Sequence, residues 1–269
     1  MNTMRKTINV AYVEDIAEEF EIYKSIFEKY GNTKVHFYPP SPKLPSLDIA
    51  ESKPDIVIID YDLTRKQPNG FLPPYRAGTI ATNLRELLPE CPLVLLSTRT
   101  RLRAHPLHPD ELRSIDYHIL KEDLDKNPTE ETLKLVNLAI GFATLKAVPT
   151  EKRNWRSLLR LLKARSREEE QLRESCPPLG MPGAQKGETR WSVHAATTWI
   201  LETLFEYQGI LYDSLYAATS LGMTRESFLR SEVQECFSEA KYVGVFGEME
   251  PRWWRDRLHQ EAFMYIREA

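Results

Sequence analysis

The segment Pro54 to Leu63, PDIVIIDYDL, constrains this 269-residue chain more than any other. Four uninterrupted aliphatic residues, Ile56 to Ile59, lie between Pro54 and the polar stretch Lys66 to Gly70. A short apolar run bounded in this way predicts a strand buried on both faces, as in a parallel sheet covered by helices. The run ends in Asp60, so a carboxylate reaches the carboxyl end of the strand, the edge where such sheets collect ligands. The remaining strands must then bring partners to that edge if chemistry is to occur there.

Ile8 to Val13 predicts a first strand that ends in the adjacent acids Glu14 and Asp15. In the following helix Ile16, Phe20, Tyr23, Phe27 and Tyr30 form one apolar stripe, with Glu18, Glu19, Glu21 and Lys24 expected to face water and Gly31-Asn32 as the stop. Lys34 to Tyr38 reads as a second strand, and a short helix near Leu47 to Ser52 leads into the Asp60 strand. A loop from Thr64 to Arg76 contains Pro68, Pro73 and Pro74. The next helix carries Ile80, Leu84, Leu87 and Leu88. A fourth strand, Leu93 to Leu96, ends in Ser97-Thr98, and a fifth, Tyr117 to Leu120, delivers Lys121. A helix over about Pro128 to Lys146 is expected to pack Leu133, Leu135, Val136, Leu138, Ile140 and Phe142.

Five alternations of strand and helix predict a doubly wound α/β sheet. Its strand ends would present Glu14, Asp15, Asp60, Ser97 and Lys121. Clustered carboxylates repel one another, and a hard divalent cation such as Mg2+ relieves that repulsion while accepting oxygen ligands. An Asp oxygen can then attack phosphorus, with a hydroxyl and an ammonium holding the phosphoryl oxygens. Each residue taken alone has an ordinary reading: Glu14-Asp15 as the acidic start of a helix, Ser97 as a cap, Lys121 as a solvated charge. It is the ordered set that points to a site.

On these five positions, Ile8 to Lys146 resembles the receiver domain of bacterial two-component response regulators. The resemblance implies a five-stranded sheet of order 2-1-3-4-5. It also implies Glu14 and Asp15 as metal-binding acids, Asp60 as phosphoacceptor and further metal ligand, the backbone carbonyl of Asp62 completing a Mg2+ site, Ser97 as phosphate-sensing hydroxyl and Lys121 as phosphate-binding ammonium. Its implied partners are a histidine kinase or another phosphodonor protein. Three departures accompany it: Glu122 where the family has a proline, His118 at the aromatic switch position with Tyr117 beside it, and the long loop after Asp60. A degenerate receiver serving as a scaffold for a partner such as an ATPase is the competing reading.

A domain boundary is expected at Val148-Pro149-Thr150, dividing a receiver-like domain (1–148) from a helical output or interaction domain (149–269). Residues 151–269 carry 17 basic and 18 acidic side chains, which gives no global attraction to nucleic acid. Glu151 to Ser175 reads as one long helix with Trp155, Leu158, Leu159 and Leu162 on its apolar side, and Cys176 to Gly187 as a loop. Trp191 to Tyr207 has helical periodicity through Val193, Ala196, Ile200, Leu204 and Tyr207. Ser214 to Val233 resembles a helix-turn-helix, with a turn at Gly222 and Thr224 capping the second helix, so a DNA-binding regulator is kept as an alternative. Ser231 stands where that motif wants an apolar residue. Glu250 to Arg257 is expected to open a last helix, with Trp254, Leu258, Ala262 and Tyr265 on its core face, or else to expose Arg252, Arg255 and Arg257 beside Trp253 as a partner patch.

No catalytic constellation marks this half, so an enzymatic output domain is not expected. Cys91, Cys176 and Cys236 are widely spaced with no CxxC pair, which disfavours a disulfide framework or thiolate zinc site and fits a reducing cytosol. No apolar stretch is long enough for a membrane span, and the N-terminal apolar run is too short for a signal peptide, so a cytoplasmic location is expected. The oligomeric state is left open, a homodimer included.

Overall fold

The computed structural model describes residues 7–65, 70–104, 108–175 and 190–268, with Asp110 and 265–268 described by backbone alone. It divides into two compact units, Met1–Phe142 and Ala143–Ala269.

In the first unit, β1 (Ile8–Val13), β2 (Thr33–Tyr38), β3 (Ile56–Asp60), β4 (Leu93–Ser97) and β5 (Tyr117–Leu120) form one parallel sheet of order β2-β1-β3-β4-β5. β3 is buried at every position, as its aliphatic run predicts. One face carries Val57, Ile59, Ala11, Val13, Leu93 and Leu95 and packs with Ile49 of α2 (Ser46–Ser52). Ile80, Ala81 and Leu84 of α3 (Ala77–Leu87) complete that layer. On the other face Tyr12 meets Phe20 and Phe27 of α1 (Ala17–Gly31), with ring centroids at 5.7 and 6.3 Å.

The stop after α1 divides its labour between two residues. Asn32 takes the left-handed conformation (φ 48°), which Asn tolerates better than most residues. Gly31 serves close approach, because a Cβ there would lie 2.8 Å from Thr132 and 3.2 Å from Val136. After β4 come α4 (Arg99–Ala104) and α5 (Pro109–Leu112), and after β5 α6 (Lys121–Lys126) and α7 (Pro128–Lys146). Leu135, Val136, Leu138 and Phe142 of α7 are buried as expected, whereas Leu133 and Ile140 are exposed; Leu87 of α3 is exposed too. The prolines of the loop after β3 fall partly at 66–69, outside the described residues. Its later part is anchored by buried Tyr75, whose hydroxyl donates to the carbonyl of Ser41 at 2.7 Å and accepts from the Ser41 N–H at 2.9 Å.

The second unit is helical with a two-residue antiparallel pair, β6 (Leu211–Tyr212) with β7 (Trp253–Trp254). The long helix expected over Glu151 to Ser175 is two helices, α8 (Trp155–Leu162) and α9 (Ser166–Glu174), preceded by a single 3-10 turn. The break has two local causes. Lys163 adopts φ 55° at the end of α8, and the Glu168 carboxylate turns back to accept from the Arg165 N–H, reopening a helix there. Trp155, Leu158 and Leu162 are buried, as the stripe predicts.

The helix expected from Trp191 begins at α10 (Val193–Thr198), capped by Ser192, and continues as a π-helix from Trp199 to Phe205. Ile200 and Leu204 are core residues, but the helix ends at Phe205 and Tyr207, in the bend that follows, is exposed. The Cys176 to Gly187 loop, with Cys176, lies outside the described residues.

The helix-turn-helix reading meets α11 (Ser214–Ser220), Gly222 at φ 70°, and a Thr224 cap accepting from Ser227. Its second helix, α12 (Arg225–Phe228), is a single turn that stops before α13 (Ser231–Cys236), and the Arg225 guanidinium donates to Ser214 at 2.8 Å. One turn of helix cannot fill a major groove as a recognition helix does. The last helix, α14 (Arg255–Glu268), starts after Trp253–Trp254 rather than at Pro251, since those two residues pair as β7. Trp254 and Leu258 are buried, while the Tyr265 side chain lies outside the described set. Arg252 and Arg257 are buried as well, stacked on Phe205 and Trp254, so the segment is core and not an exposed basic patch. Among the described residues no helix is long and apolar enough to cross a membrane.

Candidate functional site

Sheet register brings the predicted side chains together. Val13 pairs with Ile59, Asp60 with Leu96 and Ser97 with Leu120. The residues at or just beyond those ends, Glu14, Asp60, Ser97 and Lys121, therefore share the carboxyl edge of the sheet. Glu14, Asp15, Asp60 and Ser97 are all buried, Glu14 completely.

The Lys121 ammonium sits at the middle. It lies 2.6 Å from Asp60 Oδ1, 2.6 Å from Glu19 Oε2 and 3.7 Å from Glu14 Oε2, and stands 5.4 Å from the centre of the Tyr23 ring. Asp60 Oδ2 accepts from the Asp62 N–H at 2.8 Å, which fixes the carboxylate plane. Glu14 is held from three directions: the Tyr12 hydroxyl donates to Oε2 at 2.7 Å, and the N–H groups of Asp15 and Ile16 donate to Oε1 at 2.9 and 3.1 Å. Asp15 Oδ2 accepts from the Arg65 N–H at 2.6 Å, tying the loop after β3 to the end of β1. At the rim, Arg101 of α4 pairs with the Asp62 carboxylate at 2.6 Å. The Ser97 hydroxyl donates to the Thr98 carbonyl at 3.3 Å.

Electrostatics follow from this crowding. Burial pushes the Glu14 carboxyl up to about 7 against the partial relief of Lys121, and burial together with the Glu14 charge pushes Asp60 up to about 6. Asp15 is raised for the same reason, burial. For Lys121 burial pulls downward, but Asp60, Glu19 and Glu14 outweigh it and hold the ammonium above its ordinary range. One buried cation thus faces more carboxylate charge than it can neutralise.

Glu19 is the functional neighbour that sequence reasoning missed. It was expected to face water, yet its carboxylate turns inward to Lys121 while its side chain stays 38% exposed. The available signal is its spacing of four from buried Tyr23, which puts both on one side of α1. One carboxylate oxygen each from Glu14, Glu19 and Asp60 lie within 4.8 Å of one another. The same three carboxylates surround the Lys121 ammonium, whose single charge leaves a surplus of negative charge that a hard divalent cation such as Mg2+ beside it would relieve. Asp15 stands outside that closest trio.

The departures from the resemblance have local roles too. Lys121 is the first residue of α6, and the Glu122 carboxylate accepts from the Arg99 N–H at 3.0 and 3.2 Å, joining the start of α6 to the start of α4. His118 is exposed on β5, with Tyr117 half-buried beside it.

No protein-family model and no curated protein matches the sequence. Among solved structures, a two-component response regulator of the LuxR family from an Aurantimonas species is similar over 50% of this chain and 86% of its own, at 14% identity and a TM-score of 0.39. A signal receiver domain from Mycobacterium tuberculosis is similar over 48% of this chain and 96% of its own, at 16% identity and a TM-score of 0.36. The N-terminal half is a five-stranded parallel sheet of order 2-1-3-4-5, as expected. The N-terminal domain of a response regulator/sensory box/GGDEF protein from Carboxydothermus hydrogenoformans covers 49% of the chain at 18% identity, with a TM-score of 0.34. The C-terminal half is unassigned by these similarities.

Proposed function

We propose that this chain is a cytoplasmic signal-transduction protein whose receiver-like domain (1–148) accepts a phosphoryl group on Asp60 and thereby controls a helical output or interaction domain (149–269). The observation that carries the reading is the Lys121 ammonium 2.6 Å from Asp60 Oδ1 at the same sheet edge as Glu14 and Ser97. A carboxylate oxygen of Asp60 forms the new bond to phosphorus as the donor's bond to phosphorus breaks. The donor leaves with that electron pair, and Asp60 becomes an acyl phosphate. The donor is a histidine kinase, another phosphoprotein or a small acyl phosphate.

Asp60 is suited to this step because its Oδ2 is oriented by the Asp62 N–H, so the carboxylate does not have to be reorganised. Lys121 transfers its charge-assisted contact from Asp60 to the arriving phosphoryl oxygens, and the Ser97 hydroxyl exchanges its long bond to Thr98 for a phosphoryl oxygen. Glu14, Asp15, Asp60 and the Asp62 carbonyl would hold Mg2+, which when bound supplies the positive charge that the buried acids lack. The second unit would contact an effector protein, an ATPase among the candidates.

Acetyl phosphate treatment of the full chain with Mg2+, followed by intact-mass measurement, tests the reading. One added phosphate is expected on wild type and none on Asp60→Ala. No addition on wild type, or equal addition on the variant, overturns it.

A further inference from the structure

We propose that Glu19 is a positioning residue that restrains Lys121 and competes with the phosphoryl group for its ammonium. The inference rests on the phosphoacceptor reading of Asp60 and adds a control on the rate and lifetime of the phosphorylated state. Lys121 has three N–H donors. One donates to Glu19 Oε2 at 2.6 Å, while Asp60 Oδ1 lies equally close, at 2.6 Å, as an ion-pair partner outside hydrogen-bond geometry. When Asp60 becomes an acyl phosphate, the contact on its side passes to phosphoryl oxygens, but the contact to Glu19 belongs to α1 and has no reason to break. That engaged donor and an extra negative charge then oppose the incoming dianion.

The seat is made by a single helix face. Glu19 and Tyr23 are one turn apart on α1, and the ammonium lies against the Tyr23 ring as well as the Glu19 carboxylate. Lys121 itself is only 12% exposed, so its head group has few alternatives to these partners. Glu19, by contrast, reaches the surface. Its replacement by Gln keeps side-chain volume, removes the charge and disturbs no buried packing.

The test compares wild type, Glu19→Gln, Lys121→Ala and the double variant under acetyl phosphate with Mg2+ at several concentrations, using intact mass to follow uptake and later decay. Because the pair is partly exposed, uptake in Glu19→Gln should be about threefold to fivefold faster, decay slower, and the gain absent in the Lys121→Ala background. An equal or slower rate overturns the proposal, as does a gain that persists without Lys121. A gain that vanishes at high Mg2+ assigns Glu19 to cation binding instead and also overturns it.

If wild type takes up no phosphate, the phosphoacceptor reading fails, and the restraint is judged separately by acetylation of Lys121 with an N-hydroxysuccinimide ester, read by peptide mass. An ammonium released from Glu19 should label about threefold faster. Equal labelling overturns the restraint.

Discussion

Both units bury ionised side chains, but they do so on opposite terms. In the C-terminal unit Glu168 and Arg257 form a closed pair: both Glu168 oxygens accept from the guanidinium, at 2.9 and 3.0 Å, and Arg257 spends a further donor on the Lys163 carbonyl at 3.0 Å. Charge is matched one to one, and both carboxylate oxygens are satisfied. In the N-terminal unit Lys121 faces Asp60, Glu19 and Glu14 at once, with Asp15 nearby, and burial pushes Glu14 and Asp60 upward despite the relief Lys121 gives. A balanced pair fixes a fold, whereas an unbalanced one is poised to take up charge from outside.

This contrast is most severely tested by breaking the balanced pair. Glu168→Ala leaves the Arg257 guanidinium buried without its carboxylate and removes the cap on the Arg165 N–H, so the C-terminal unit should lose about 3–5 kcal/mol. All five tryptophans lie between Trp155 and Trp254, so their emission during urea unfolding reports that unit alone. A loss below about 1 kcal/mol would place this pair with weak surface bridges and remove the comparison's structural half.

The unbalanced cluster should respond in the opposite sense. Glu14 and Asp60 titrate higher when folded, at about 7 and about 6 against ordinary values of 4.5 and 3.8. The folded state therefore holds extra protons between those limits, and stability is greatest below the unfolded values and falls as pH rises through the folded ones. Lys121, raised by its carboxylates, keeps its own contribution through that window and loses it only in alkali. Without divalent cation, moving from pH 5 to pH 8 should cost the N-terminal unit roughly 4 kcal/mol. Glu14→Gln should flatten the dependence. Circular dichroism melts, with tryptophan emission isolating the other unit, provide the measurement. A flat profile in wild type would mean the carboxylates are already neutralised.

Most of the N-terminal fold was legible in sequence because its signals are local and reinforce one another. The aliphatic run Ile56–Ile59 admits few structures other than a buried strand, and each of Val13, Asp60, Ser97 and Leu120 falls at a strand's last residue. Glu19 was not legible, because an acidic residue in a first helical turn already has an adequate reason to be there, and its partner Lys121 lies 102 residues away. The C-terminal half was misread at junctions. The kink at Lys163 serves a pairing between Glu168 and Arg257, 89 residues apart, and the helix from Val193 ends at Phe205, two residues short of Tyr207, where the apolar spacing alone gives no stop. Tryptophan and arginine at 252–257 favour a core helix over a binding patch without excluding the patch, and the long-range pairing of β6 with β7 and the burial of Arg252 and Arg257 distinguish them.

The central claim is that the surplus of buried acid around Lys121 makes Asp60 a cation-dependent phosphoacceptor. The most direct measurement is borohydride trapping after acetyl phosphate treatment, which reduces an aspartyl phosphate to homoserine, followed by peptide sequencing by mass. Homoserine at position 60 alone, formed with Mg2+ and lost when a chelator replaces it, is the predicted result. Homoserine elsewhere, none at all, or equal trapping in the chelator would contradict the account.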